Sequence, residues 1–183
     1  MRGSRAPVSP RSIPIEGLGR RTLRGWPDGV EYLVRAARVT DIDRIVALSD
    51  GSVRMDPDHS SLAIADLMRQ LVYLPQAIVV VAESQRAVVG GAILAMRPSV
   101  RAGGYVGTID LLVVDPEHDA DRVTGALLEE LLRSASNKGC TVVEAERPDA
   151  SGLARWQGAG FTEAGPRISR TVAAAGSAAR RLT

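Results

Sequence analysis

Apolar residues follow two different periods along this chain, and the change between them falls at Asp115. Residues 107–114 form a β-rich, mostly apolar run, which is the pattern of a buried strand. Beyond Pro116, which removes a ladder donor, apolar residues recur at 3.6-residue spacing through 123–135 with charged residues between them. The pattern predicts a strand, a sharp turn and an amphipathic helix that ends at Lys138-Gly139.

The remaining periodicity predicts further elements on both sides of this unit. Strands are expected at 31–37, 77–84, 87–96, 140–146 and 163–172. Helices are expected after Thr40 as a cap, after Ser60 or Ser61, and after Pro148-Asp149. The second of these helices is predicted to turn one apolar side inward, made of Leu62, Ile64, Leu67, Leu71 and Val72. A tight Gln85-Arg86 turn joins two strands, and Gly90-Gly91 marks a bulge or close backbone packing.

Length and composition narrow the class of protein. A chain of 183 residues is long enough for one domain with a sizeable core. No apolar run of about 18 residues is present to span a bilayer, and the N-terminus has no apolar signal segment. Cys140 is the single cysteine, so we expect no internal disulfide, no metal site and a cytoplasmic location. Residues 1–30 are predicted to be a disordered basic extension, 31–172 a folded domain and 173–183 a flexible tail.

Charge is distributed unevenly although the net charge is only +2. Residues 1–38 carry eight arginines against three acids, and residues 166–183 carry four arginines and no acid. Basic tails on an acidic body suit nucleic acid or acidic lipid. No aromatic residues are interleaved with the arginines for base stacking, so we favour solvated arms over a nucleic-acid partner.

Three stretches carry a resemblance to the GNAT family of N-acetyltransferases, and the resemblance as a whole extends over roughly residues 32–165. Leu111-Leu112-Val113-Val114-Asp115-Pro116-Glu117, followed by residues 125–132, resembles the central motif of that family. Residues 34–48 are similar to the opening strand and helix of many bacterial members, and 149–161 to the last motif. The resemblance implies an α/β (α+β) fold in which a mixed, mostly antiparallel sheet has helices on both faces.

The resemblance also implies a chemistry and a set of site residues. Acetyl-CoA would be the co-substrate, and a primary amine of a small molecule or protein the acceptor. Asp110 is the candidate base, with a water-facing polar residue as the alternative. The polar loop at 54–59 is the candidate acceptor contact, and a homodimer is compatible with the family. The backbone of the central strand and the helix start would hold the donor, through Leu112, Val113, Val114, Arg122, Val123, Thr124 and Gly125.

The sequence departs from the family at two chemically important places. The pyrophosphate loop, written Q/R-x-x-G-x-G/A, falls on 119–124, and none of its defining residues is present. Carboxylates at Asp119 and Asp121 would repel a phosphate about 5 Å away by roughly 3 kcal/mol, or they serve simply as helix caps. Trp156 stands where the family has a tyrosine acid. Two functions therefore stay open: an acyl-CoA-dependent N-acyltransferase, and an inactive binding or regulatory module with this fold.

Overall fold

The computed structural model describes residues 21–22, 31–49 and 60–163 of the chain. Its sheet has six strands in sequence order, namely β1 (Arg21–Thr22), β2 (Leu33–Ala36), β3 (Ala77–Ser84), β4 (Ala87–Ser99), β5 (Gly104–Val114) and β6 (Cys140–Ala145). The first five strands are antiparallel to their neighbours, whereas β6 runs parallel to β5. The helices are α1 (Ile42–Ser49), α2 (Ser61–Leu71), α3 (Ala120–Asn137) and α4 (Ala150–Gly158). The structure thus confirms the predicted fold class, in which a mixed, mostly antiparallel sheet is packed with helices.

Helices cover both faces of the sheet, so the domain has two cores. The core under α3 lies between the sheet and helices α3 and α4, and includes Val80, Leu127 and Trp156. The core under α1 lies between the sheet and helices α1 and α2, and includes Val81 and Ile45. Because successive strand residues point to opposite faces, β3 is apolar from Ala77 to Ala82 and supplies both cores.

Glycines in β4 let helices approach the sheet from both sides. A Cβ on Gly90 would lie 2.8 Å from Val123 of α3, and one on Gly91 would lie 3.0 Å from Ile45 of α1. The register between β3 and β4 also shifts here, since Ala82 pairs with Gly90 and the next residue, Glu83, pairs with Val88. Both interpretations of Gly90-Gly91 are therefore correct, because the strand has a bulge here and helices pack closely on its backbone.

Helix ends follow local sequence signals in most places. Ser60 caps α2 by accepting a hydrogen bond from the Ala63 amide, and Asp149 caps α4 through Gly152. Gly139 after α3 and Gly160 after α4 have φ angles of +81° and +87°, the left-handed conformation that glycine adopts without strain.

Two expectations need correction, and others fall partly or wholly outside the described residues. Thr40 does not cap α1, because a 3-10 turn at Val39–Asp41 precedes that helix and Arg38 stands at its start. Leu62 and Leu67 are exposed on α2, and Ala65 and Met68 are buried instead. The two residues of β1 pair with β2, although they fall in the segment expected to be disordered. The acceptor loop and all but the first residue of the predicted last strand lie outside the described residues.

Within the described ranges, no helix is long and apolar enough to cross a bilayer.

Candidate functional site

The central strand β5 has a bulge at Asp110. Against β4, Leu111 pairs with Ile93 and Ile109 pairs with Leu94, so one residue of β5 has no opposite partner. Ile109 packs in the core under α3, while Leu111 packs in the core under α1. Asp110 lies exposed between them and has no hydrogen-bond or ion-pair partner within the described part of the chain. The bulge therefore places an exposed carboxylate between two residues that belong to opposite cores.

Beyond the bulge, one edge of β5 is open. β6 pairs with β5 as far as Ile109, which lies opposite Ala145, and the described residues provide no partner strand for that edge past this point. The Asp115 amide donates to the Val89 carbonyl at 2.8 Å, which sets the alternation along β5. Leu112 and Val114 therefore turn their N–H and C=O groups toward the open edge.

The same alternation corrects the prediction for Val113. Its backbone groups face β4, where it pairs with Gly91, and its side chain is buried in the core under α1. Of the three predicted strand positions, Leu112 and Val114 thus turn hydrogen-bonding groups to the open edge, and Val113 does not. Two outward-facing residues separated by one are the arrangement that pairs with an extended amide-containing chain.

A buried carboxylate organises the turn between β5 and α3. One Asp115 oxygen accepts a hydrogen bond from the Glu117 amide at 3.0 Å. The other accepts a hydrogen bond from the Arg44 guanidinium of α1 at 2.5 Å. Arg44 also donates to the Val88 carbonyl at 3.2 Å. The turn is therefore attached to α1 and β4, and it fixes the place where α3 begins.

The start of α3 is capped by its own aspartate. Oδ1 of Asp119 accepts hydrogen bonds from the Asp121 and Arg122 amides, both at 3.0 Å. Asp121 caps nothing, since its carboxylate forms an ion pair with Arg155 of α4. The N-cap alternative is thus correct for Asp119, and the structure gives Asp121 a different role.

Arg122 belongs to a cluster that sequence reasoning did not find. Its guanidinium lies 5.3 Å from the centre of the Tyr32 ring. That ring meets His118 edge-to-face at 5.9 Å, and the Tyr32 hydroxyl lies 3.5 Å from Nδ1 of His118. The aromatic and the histidine are 86 residues apart, so no local pattern could have indicated the contact.

The other predicted residues of the helix start divide between core and surface. The side chains of Val123 and Thr124 are buried, and the Val123 amide donates to the Asp119 carbonyl within the helix. Burial removes these two side chains from the set that can contact a donor. Gly125 is exposed, and a Cβ there would meet no atom within 4 Å.

Two further side chains bear on the chemistry. Trp156 is buried and packs edge-to-face against Phe161, with ring centres 4.9 Å apart, so its role is structural. Burial raises the pKa of the Cys140 thiol, while the charge of Lys138 opposes that shift. Cys140 pairs with Tyr105, at the far end of β5 from the bulge. Among the described residues, no three His, Cys, Asp or Glu side chains are grouped so as to hold a metal ion.

A central strand with a bulge and an open edge, followed by a turn and a long helix, defines the acetyltransferase (GNAT) class of protein. The chain belongs to this family, whose sequence model matches residues 39–161. No curated protein sequence matches the chain significantly.

Solved structures with the same fold have different descriptions. An aminoglycoside N-acetyltransferase in complex with CoA superposes with a TM-score of 0.66 at 18% identity, covering 80% of this chain and 98% of that one. Glucosamine-6-phosphate N-acetyltransferase from Arabidopsis thaliana gives 0.63 at 15%, covering 76% and 97%. A transcriptional regulator from Bacillus halodurans C-125 gives 0.64 at 14%, covering 77% and 99%. At these identities the likeness shows the fold alone.

GNAT enzymes bind an acyl-CoA and an amine, and this site suits one part of that donor better than another. The open edge at Leu112 and Val114 fits the amide groups of a pantetheine arm. The start of α3 does not fit a pyrophosphate as it stands, because Asp119 already occupies two amides there.

Proposed function

We propose that this protein is an N-acetyltransferase that moves an acetyl group from a pantetheine thioester such as acetyl-CoA to a primary amine of a small molecule or protein. The observation that carries the proposal is the exposed Asp110 carboxylate at the β5 bulge, directly before the two open backbone positions. A base and a binding edge are thereby joined on one rigid strand. Family membership supports the same reaction class.

Leu112, Val114 and Asp110 have separate roles in the proposed transfer. Leu112 and Val114 bind the arm in the manner of an added strand, and this orients the thioester toward the bulge. Asp110 takes the proton from the acceptor ammonium, directly or through one water, and frees the amine to attack. As the C–N bond forms, the C–S bond breaks and the thiolate takes its proton from water, because Trp156 has no acidic proton to give.

Direct attack is favoured over an acyl-enzyme route. The single cysteine, Cys140, lies at the other end of β5 from Asp110, and burial raises the pKa of its thiol. A thiol with a raised pKa is a poor nucleophile because the thiolate is the reactive form. One unpaired cysteine also supports our placement of the protein in a reducing compartment, the cytoplasm.

A second function is favoured by one specific observation. The Asp119 carboxylate occupies the amides that a pyrophosphate would use, as expected of a chain that has given up transfer and serves as a binding or regulatory module. One protein of the same fold is described as a transcriptional regulator. The two functions differ in whether any amine is acetylated.

A transfer assay tests the proposal. Thiol release from acetyl-CoA is followed with a panel of primary amines, for the wild type and for Asp110→Asn. We expect the substitution to lower kcat by about a hundredfold or more, with the KM for the donor little changed. Glu129→Gln, which removes an exposed carboxylate from the outer side of α3, is the matched control and should behave as the wild type.

Two results would count against the proposal in different ways. Unchanged kcat in Asp110→Asn would assign the base elsewhere. Absence of thiol release with every amine, from folded protein that binds pantetheine, would favour the binding module.

A further inference from the structure

The first turn of α3 has few backbone donors left for a ligand. A helix start leaves four N–H groups without an intrahelical partner. The Asp119 side chain accepts hydrogen bonds from two of them, those of Asp121 and Arg122, each at 3.0 Å. The next amide, that of Val123, already donates to the Asp119 carbonyl within the helix at 3.0 Å. A resident carboxylate therefore occupies the position where an anion would otherwise accept these hydrogen bonds.

The cations beside this turn have partners as well. Arg155 pairs with Asp121, and Arg122 lies over the Tyr32 ring. A pyrophosphate arriving here would have to displace the Asp119 carboxylate or tolerate its charge, and it would compete for both guanidinium groups. The open edge of β5 carries no such obstacle, because Leu112 and Val114 lie beyond the last residue paired with β6.

We propose that Asp119 is a specificity-determining residue that excludes a pyrophosphate from the start of α3, so that the acyl donor is held by its pantetheine arm and not by its nucleotide. This inference rests on the proposed function, since it concerns the donor of the same reaction. It assigns pantetheine thioesters as the substrate class, with the nucleotide contributing little to affinity.

An ordinary helix cap is the alternative, and the chain supplies its own control. Asp149 caps α4 in the same way, accepting the Gly152 amide at 2.8 Å. If Asp119 only stabilises its helix, removing either cap should affect folding and leave ligand preference unchanged. If it excludes a pyrophosphate, only the change at Asp119 should alter preference.

The experiment is calorimetric titration of CoA and of pantetheine into wild type, Asp119→Gly, Asp119→Asn and Asp149→Gly. Glycine frees the amides and removes the charge, whereas asparagine removes the charge and keeps a capping oxygen. A like charge about 5 Å away at an effective dielectric near 20 corresponds to about a hundredfold in affinity. We therefore expect the preference for CoA over pantetheine to rise about a hundredfold in Asp119→Gly and at least tenfold in Asp119→Asn.

Pantetheine affinity serves as the internal check on folding, and it should be the same in all four proteins. If Asp119→Gly does not fold, the rise in Asp119→Asn alone decides the matter. An unchanged preference in the Asp119 variants, or an equal rise in Asp149→Gly, overturns the inference and leaves the proposed function intact. If no protein binds either ligand, the donor site on β5 is wrong and the inference falls with it.

Discussion

At the scale of single residues, two acids five positions apart show how surroundings decide chemistry. Asp115 is buried, bonds to the Glu117 amide and pairs with Arg44, so its charge is committed to the turn. Asp110 is exposed at the bulge. Both follow apolar residues in the same run. The sequence points to Asp110 as the candidate base, and the contacts of Asp115 leave that prediction unchanged.

A second buried acid belongs to an ion-pair network under the first helix. Arg35 donates to Asp41 at 2.7 and 3.1 Å and to Glu83 at 2.9 Å, and the Arg38 amide donates to Asp41 at 2.7 Å. Burial alone would raise the pKa of Asp41. The hydrogen bonds from Arg35 and from the Arg38 amide outweigh it and hold that pKa below the ordinary 3.8.

Asp41→Asn should lower the free energy of unfolding at neutral pH by about 3 kcal/mol, because it leaves the partly buried Arg35 without its main partner. The native pKa of Asp41 lies below the unfolded one, so its contribution is present above the unfolded value and is lost as pH falls through the native value. Urea unfolding at a series of pH values measures this. The difference in the free energy of unfolding between wild type and variant should close as pH falls below about 4.

Asp43→Asn is the matched control, since Asp43 forms an exposed pair with Arg69. Its effect should stay within about 0.5 kcal/mol at every pH. A gap between wild type and Asp41→Asn that persists unchanged into acid would contradict the role given to its charge.

At the scale of elements, the site depends on how closely α3 lies on β4. At Gly90, side-chain and main-chain atoms of neighbouring elements leave no room for a methyl group. That contact, together with the Asp115 turn, sets the position of the helix start relative to the open edge of β5. The strand and the helix are each predictable from the sequence, but the distance between them depends on how the two pack together.

Two glycine substitutions of the same size should have opposite effects on stability. Gly90→Ala places a Cβ 2.8 Å from Val123 and 3.0 Å from the Val113 carbonyl, so it should cost about 2 kcal/mol through overpacking. Gly125→Ala meets no atom within 4 Å in the interior of α3, so it should stabilise the protein by about 0.5–1 kcal/mol through helix propensity.

Urea midpoints of both variants against the wild type provide the measurement. Equal destabilisation by the two alanines would show that packing of α3 on β4 is not what requires glycine at position 90.

At the scale of the whole molecule, one sheet serves two cores. Val80 and Val81 are neighbours in β3, both are fully buried, and they belong to the cores under α3 and under α1 respectively. Because the same strands supply both clusters, we expect the two cores to unfold together. The proposed binding edge and the proposed base lie on this shared sheet, which fixes their relative positions.

Val80→Ala and Val81→Ala should each destabilise the protein by about 2 kcal/mol, and each should shift a single cooperative unfolding transition. Tryptophan fluorescence, recorded in a Trp26→Phe background so that Trp156 is the one tryptophan left, reports on the core under α3. Far-ultraviolet circular dichroism reports on the sheet and helices together. The two signals should coincide in both variants. If Val81→Ala moved only the dichroism transition, the two cores would be separate folding units.

The local features of this protein were predictable from sequence alone. Strand β3 has the predicted limits of 77 and 84, Ser60 caps α2, and the glycines at 139 and 160 end their helices. The order of elements and the fold class also followed, through periodicity and motif resemblance. Each of these depends on residues within a few positions of one another, because apolar spacing, caps and left-handed glycines act over one or two turns.

The tertiary structure decided what the sequence left open. The bulge at Asp110 exists only relative to the register of β4, and the open edge exists only because β6 stops pairing at Ile109. The pairing of Arg44 with Asp115 joins residues 71 apart. Even the inward face of α2 was set by contacts, which bury Ala65 and Met68 and leave two leucines exposed. Such features come from packing between residues far apart in the sequence, and a local sequence pattern does not identify those partners.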